Sequence, residues 1–147
     1  MTYRELKERQ QQEVNDFPFI WAFNEKQLAE GMQRLGLDPA TDKDKLQNIG
    51  AGGIIRKTDA AAMREMFDRH RRELLEQIAA DTTGEGFIKD MFSTELANHE
   101  YSYTGDPTDA LDALGITPAQ IESNRALARG LALAAQEQSD EYIKGAR

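Results

Sequence analysis

Residues 58–80, TDAAAMREMFDRHRRELLEQIAA, decide how the rest of the chain is read. No Gly or Pro interrupts them, and Thr58 or Asp59 offers an N-cap. Met63, Phe67, His70, Leu74 and Ile78 recur at helical spacing with charge between them, which predicts a long amphipathic helix ending near Ala80. Just upstream, Ile54 to Lys57 reads as a short strand, and the run Ile49-Gly50-Ala51-Gly52-Gly53 before it as a flexible turn. Further back, Phe17-Pro18-Phe19-Ile20-Trp21-Ala22-Phe23 alternates, with Phe17, Phe19, Trp21 and Phe23 on one side; Pro18 assigns it to a strand start or edge. Asn24 with Gln27 forms a capping pair for a helix carrying Leu28, Met32 and Leu35, and Gly36 stops it. The polar segment from Tyr3 to Glu13 is a surface helix with a thin stripe of Tyr3, Leu6, Gln10 and Val14.

Downstream, Thr82 to Gly86 breaks the chain. Phe87, Ile88, Met91, Phe92 and Leu96 then mark an amphipathic helix ending near His99. The alternation Tyr101-Ser102-Tyr103-Thr104 suggests a third strand. Asp106-Pro107 and Thr117-Pro118 each start a helix, the first stopped by Gly115, the second continuing through Ile121, Leu127, Leu131 and Ala135. The expectation is a mainly α (α+β) fold of five or six helices with a small two- or three-stranded sheet. It forms one compact domain over residues 1–147, with a tail that frays from about residue 137.

Composition narrows the function classes. In 147 residues there are 18 Lys plus Arg against 26 Asp plus Glu, a formal charge of −8, and no cysteine. Disulfides, cysteine-based zinc or iron–sulfur centres and thiol nucleophiles are thereby excluded. No apolar run approaches the roughly 20 residues of a membrane span, and the first residues lack an apolar signal core, so the expected location is cytoplasmic. The charge is uneven. Arg56 to Arg72 carries six cations against three acids, whereas Glu85 to Asp112 carries seven acids against Lys89 alone. An acidic chain repels nucleic acid directly, but its acidic stretch suits a partner with a basic surface, such as a nucleic-acid-binding protein. The residues assigned to that contact are Glu95, Glu100, Tyr101, Tyr103, Asp106, Asp109 and Asp112, the tyrosines serving as anchors.

Catalytic motifs are absent: there is no GxSxG, HExxH or Walker A sequence, and Asp106 to Asp112 lacks the ligand order of an EF-hand. No catalytic residue, metal or other cofactor is assigned, so a non-enzymatic protein is expected. A metal-assisted enzyme using His70, Glu95 and His99 is the alternative, since two imidazoles and one carboxylate can hold Fe or Zn. A homo-oligomer joined through the Ala-rich last helix is another. The glycines at Gly50–Gly53, with Arg56 and Lys57 nearby, also leave open an anion site.

Three segments together carry a resemblance: Phe19-Ile20-Trp21-Ala22-Phe23-Asn24 with Gly31-Met32 and Leu35-Gly36; Ile49-Gly50-Ala51-Gly52-Gly53-Ile54-Ile55-Arg56-Lys57; and Glu95-Leu96-Ala97-Asn98-His99-Glu100-Tyr101. In order and spacing the chain, from about Tyr3 to Leu127, resembles an uncharacterised family of small proteins from gut bacteria, their phages and mobile elements. The resemblance implies no catalytic residues. It implies a phage- or mobile-element-borne accessory protein, a setting in which small acidic proteins act as inhibitors of host systems of the anti-CRISPR type.

Overall fold

The computed structural model describes residues 1–145. Among them are eight α-helices and a three-stranded antiparallel sheet, so the chain is mainly helical, as expected, with more helices than five or six. The helices are α1 (Tyr3–Asp16), α2 (Glu25–Arg34), α3 (Ala60–Ala80), α4 (Phe87–Asn98), α5 (Tyr101–Thr104), α6 (Thr108–Leu114), α7 (Pro118–Glu122) and α8 (Arg125–Gly145). The strands are β1 (Ile20–Trp21), β2 (Leu46–Gly50) and β3 (Gly53–Arg56).

The excess over the expected count has two local causes. Tyr101 to Thr104 is a single helical turn rather than a strand, because Glu100 and Gly105 both adopt left-handed backbone (φ 57° and 70°) and bend the chain at either side. The helix expected to run on from Thr117 is two helices. Thr117 and Gln120 close a capping box on α7, and Asn124 then recaps α8, its Oδ1 accepting from Leu127 N at 3.1 Å. Helix α8 runs to Gly145.

The residues group into two compact units, Met1–Arg9 with Glu73–Arg147, and Gln10–Arg72. In the first, Ile88, Met91, Phe92 and Leu96 of α4 form the centre of an apolar core with Leu111 and Leu114 of α6 and Leu127 and Ala134 of α8, and Tyr3 closes it from the start of α1. Helix α8 comes close enough to α4 to do this because Gly130 faces it without a side chain. A Cβ there would collide with Ile88 Cγ2 and lie 2.8 Å from the Gly84 carbonyl oxygen. Gly84 (φ 82°) is equally constrained, as a Cβ on it would collide with the Ala126 carbonyl. Asp81 holds the connecting loop in place. Its Oδ1 accepts from Gly84 N (2.9 Å), and its Oδ2 accepts from Gly86 N (3.1 Å) and Ile88 N (3.0 Å). Burial alone raises an acid's pKa, yet these three N–H donors outweigh it and keep the Asp81 carboxyl below its usual range.

In the second unit β3 is the central strand, with Ile20 opposite Ile54 and Trp21 opposite Gly53 on one side and β2 on the other. The aromatic segment contributes only two residues to the ladder rather than a full alternating strand. Asn24 caps α2 immediately afterwards (Gln27 N to Asn24 Oδ1, 2.8 Å), and Phe23 N–H donates to Gln27 Oε1 (2.7 Å) instead of to a strand. The second strand of the hairpin is Leu46–Gly50, where the sequence suggested part of a flexible turn. Phe19, Ile55, Ala60 and Met66 form the core here. Met66 is buried and Phe67 is 44% exposed, so the inward stripe of α3 lies one residue away from its expected position at that turn.

Replacing Gly by Ala inside a helix ordinarily stabilises it by about 1 kcal/mol. At Gly130 the opposite sign is expected: Gly130→Ala should lower stability by about 1–3 kcal/mol through overpacking against Ile88 and the Gly84 carbonyl. Urea unfolding measures this, and an unchanged or raised midpoint would show that α8 does not approach α4 this closely.

Candidate functional site

The sequence brings its acidic segment into the first unit, and that unit holds the whole net charge. Residues 10–72 carry ten Lys or Arg and ten Asp or Glu, whereas residues 1–9 with 73–147 carry eight against sixteen. Several acids elsewhere are met by cations: Glu85 by Arg129 (2.6 Å), Glu137 by Lys89 (3.0 Å), Glu73 by Arg9 (2.8 Å), Asp59 by Arg56 (2.7 Å) and Glu25 by Lys43 (3.0 Å). From Asp90 to Asn124 the chain has no Lys or Arg. Among the described residues, no ion pair involves Glu100, Asp106, Asp109 or Asp112, and all four are exposed.

The seven residues assigned to partner contact divide by burial. Glu100, Tyr103, Asp106, Asp109 and Asp112 face solvent, the Tyr103 ring 80% exposed. Tyr101 is half-buried against the core formed by α4, α6 and α8. Glu95 is turned inward and 8% exposed: its Oε1 accepts from the Tyr3 hydroxyl at 2.7 Å. Burial, followed by this hydrogen bond to a carboxylate, pushes the Tyr3 hydroxyl pKa well up, so the phenol stays a donor. Glu95 therefore joins α4 to α1 and leaves the outward acidic set.

That set is held by backbone geometry. Asp106 Oδ1 accepts from Thr108 N (2.9 Å) and from Thr108 Oγ1 (2.6 Å), which starts α6 and holds the Asp106 carboxyl below its usual range. Asp109 and Asp112 follow at a spacing of three on α6, so they share a helix face.

The residues of the metal alternative are engaged with their own neighbours. His99 Nδ1 lies 2.9 Å from the Glu95 carbonyl and 3.8 Å from Glu95 Oε2, whose carboxylate already takes the Tyr3 hydroxyl. His70 belongs to the second unit, 8% exposed, with Nε2 at 3.5 Å from Glu13 Oε2, long for a hydrogen bond. The Arg69 guanidinium forks the Glu13 carboxylate (Nη1 to Oε1, 3.0 Å). In the glycine turn, Gly52 and Gly53 make room for aromatic rings rather than an anion. A Cβ on Gly52 would lie 2.5 Å from the Phe23 ring, and one on Gly53 2.8 Å from the Trp21 ring. Those rings remain 79% and 54% exposed, and the Trp21 ring lies next to Phe19.

Among the described residues no helix is long and apolar enough to cross a membrane. The chain belongs to a family of unknown function, DUF7659, whose model matches residues 2–137. No curated protein and no solved structure matches it.

The Arg69 hydrogen bonds lower the Glu13 pKa from 4.5 to about 2. A depressed folded-state pKa contributes stability above the unfolded value, and that contribution is lost as pH falls from about 4.5 towards 2. Glu13→Gln should therefore be less stable than the parent at neutral pH, the gap closing by pH 2. Denaturant midpoints across that range test it, and a gap independent of pH would contradict it.

Proposed function

We propose that this member of the DUF7659 family is a non-enzymatic interaction protein whose exposed acids between Glu100 and Asp112 dock a partner with a basic surface, Tyr103 serving as an apolar anchor beside them. One observation carries the reading. From Asp90 to Asn124 the chain has no Lys or Arg, and Glu100, Asp106, Asp109 and Asp112 make no ion pair among the described residues, whereas acids such as Glu13, Glu85 and Glu137 are each met by a cation. Asp106 and Asp109 suit the start of α6, where negative charge is favoured, but Asp112 does not. Asp112 lies towards the C-terminal end of α6, where a negative charge opposes the helix dipole, and Asp109 and Asp112 repel one another at a spacing of three.

An exposed, single-sign surface accelerates association with an oppositely charged partner and makes the binding sensitive to salt. The partner class that fits is a nucleic-acid-binding protein, since such proteins present basic grooves. The resemblance to small proteins of phages and mobile elements extends the reading: an inhibitor of a host defence effector, anti-CRISPR-like, acting in the cytoplasm by occupying that groove. Direct nucleic-acid and membrane binding are not part of the proposal.

Reversing Asp106, Asp109 and Asp112 to Lys together should weaken partner binding by at least about tenfold at low salt. Tagged parent and variant are compared by capture from host lysate at low and moderate salt, with mass spectrometry as the readout. The expected result is a basic protein held by the parent, weakened by salt and lost with the variant. Equal capture by the variant, or no basic protein held by the parent, would contradict the proposal.

A further inference from the structure

Beside the acidic face, α6 and the start of α7 enclose a surface cleft of about 300 Å³. Leu111 and Ile116, 7% and 5% exposed, lie at its base, Pro118 and Thr108 form its walls, and Asp112 stands on its rim. The cleft arises from two features of the chain. Gly115 ends α6 in left-handed backbone (φ 65°), and the Thr117–Gln120 capping box fixes the direction in which α7 leaves. Both belong to the fold itself, and they give the depression an apolar floor and an acidic edge.

We infer that this cleft receives one large apolar side chain of a basic peptide segment, with lysines or arginines on either side of that residue meeting Asp112 and Asp109. The inference rests on the proposed acidic docking face and names the chemistry of its partner. Charge complementarity selects the occupant. A purely apolar ligand would leave Asp112 unmatched at the rim, and a purely cationic one would leave the Leu111 and Ile116 surface wet. A segment combining the two satisfies both. At about 300 Å³ the cleft lies at the small end of ligand pockets and has room for one aromatic or branched side chain.

Two short blocked peptides test this on the whole chain: Lys-Arg-Trp-Lys-Arg, and the same peptide with Ala in place of Trp. Binding is read by calorimetry and by the methyl signals of Leu111 and Ile116. The expected result is about tenfold tighter binding of the Trp peptide, with shifts at those two residues. Asp112→Lys should weaken both peptides, and Thr108→Phe, which narrows the cleft, should remove only the advantage of Trp. Equal affinity for the two peptides would overturn the cleft assignment while leaving the acidic face intact. Failure of both to bind would overturn the cleft and the acidic face together. Should Thr108→Phe fail to fold, the comparison of the two peptides on the parent chain still decides.

Discussion

The near-contact of backbone between Gly84 and Gly130 governs the first unit. Helix packing at ordinary distances leaves room for side chains on both surfaces, but here one helix meets a loop and the start of another with a glycine on each side. The loop can take that position because the Asp81 carboxylate receives three backbone N–H groups that would otherwise lack partners. With α8 seated this close, Ile88, Phe92, Leu127 and Ala134 join one core, and α6 completes it with Leu111 and Leu114. The apolar side of α6 faces the core, with Leu111 also reaching the cleft floor, which leaves Asp109 and Asp112 on its outer side.

Electrostatics follows from that commitment. Carboxylates in water cost little individually, and several of this chain's acids, Glu13, Glu85 and Glu137 among them, are balanced by a nearby Lys or Arg. The segment from Glu100 to Asp112 is different because no Lys or Arg occurs between Asp90 and Asn124. Its charges are therefore screened by salt alone, over roughly 8–10 Å at physiological ionic strength. The other unit balances its charges and instead exposes Trp21 and Phe23, seated on glycine backbone. Gly52 takes left-handed backbone (φ 79°), and the Phe23 and Trp21 rings lie over the backbone at Gly52 and Gly53.

Much of the fold was legible because its signals are local. The stripe Tyr3, Leu6, Gln10 and Val14, the Asn24 cap, the stop at Gly115 and the capping box at Thr117 all act within one turn of helix. What was not legible depends on contacts distant in sequence or on backbone that alternation does not reveal. Tyr101 to Thr104 alternates like a strand, but with Glu100 and Gly105 left-handed at either side it has no partner strand to join. The hairpin strand Leu46–Gly50 hides because Gln47, Asn48 and Gly50 are exposed and give it little apolar pattern. For the candidate site, charge counting located the segment, but it could not separate Glu95, buried beneath the Tyr3 hydroxyl 92 residues away, from its exposed neighbours. Nor could it locate the cleft, which forms only when α6 and α7 are set at an angle.

The central claim is that the fold concentrates its unneutralised charge on residues 100–112. The most direct measurement is paramagnetic relaxation of backbone amides by a cationic and an anionic nitroxide of equal size. The account predicts that the ratio of cationic to anionic enhancement peaks between Glu100 and Asp112 and averages near unity over residues 10–72. A flat ratio, or a peak elsewhere in the chain, would contradict it.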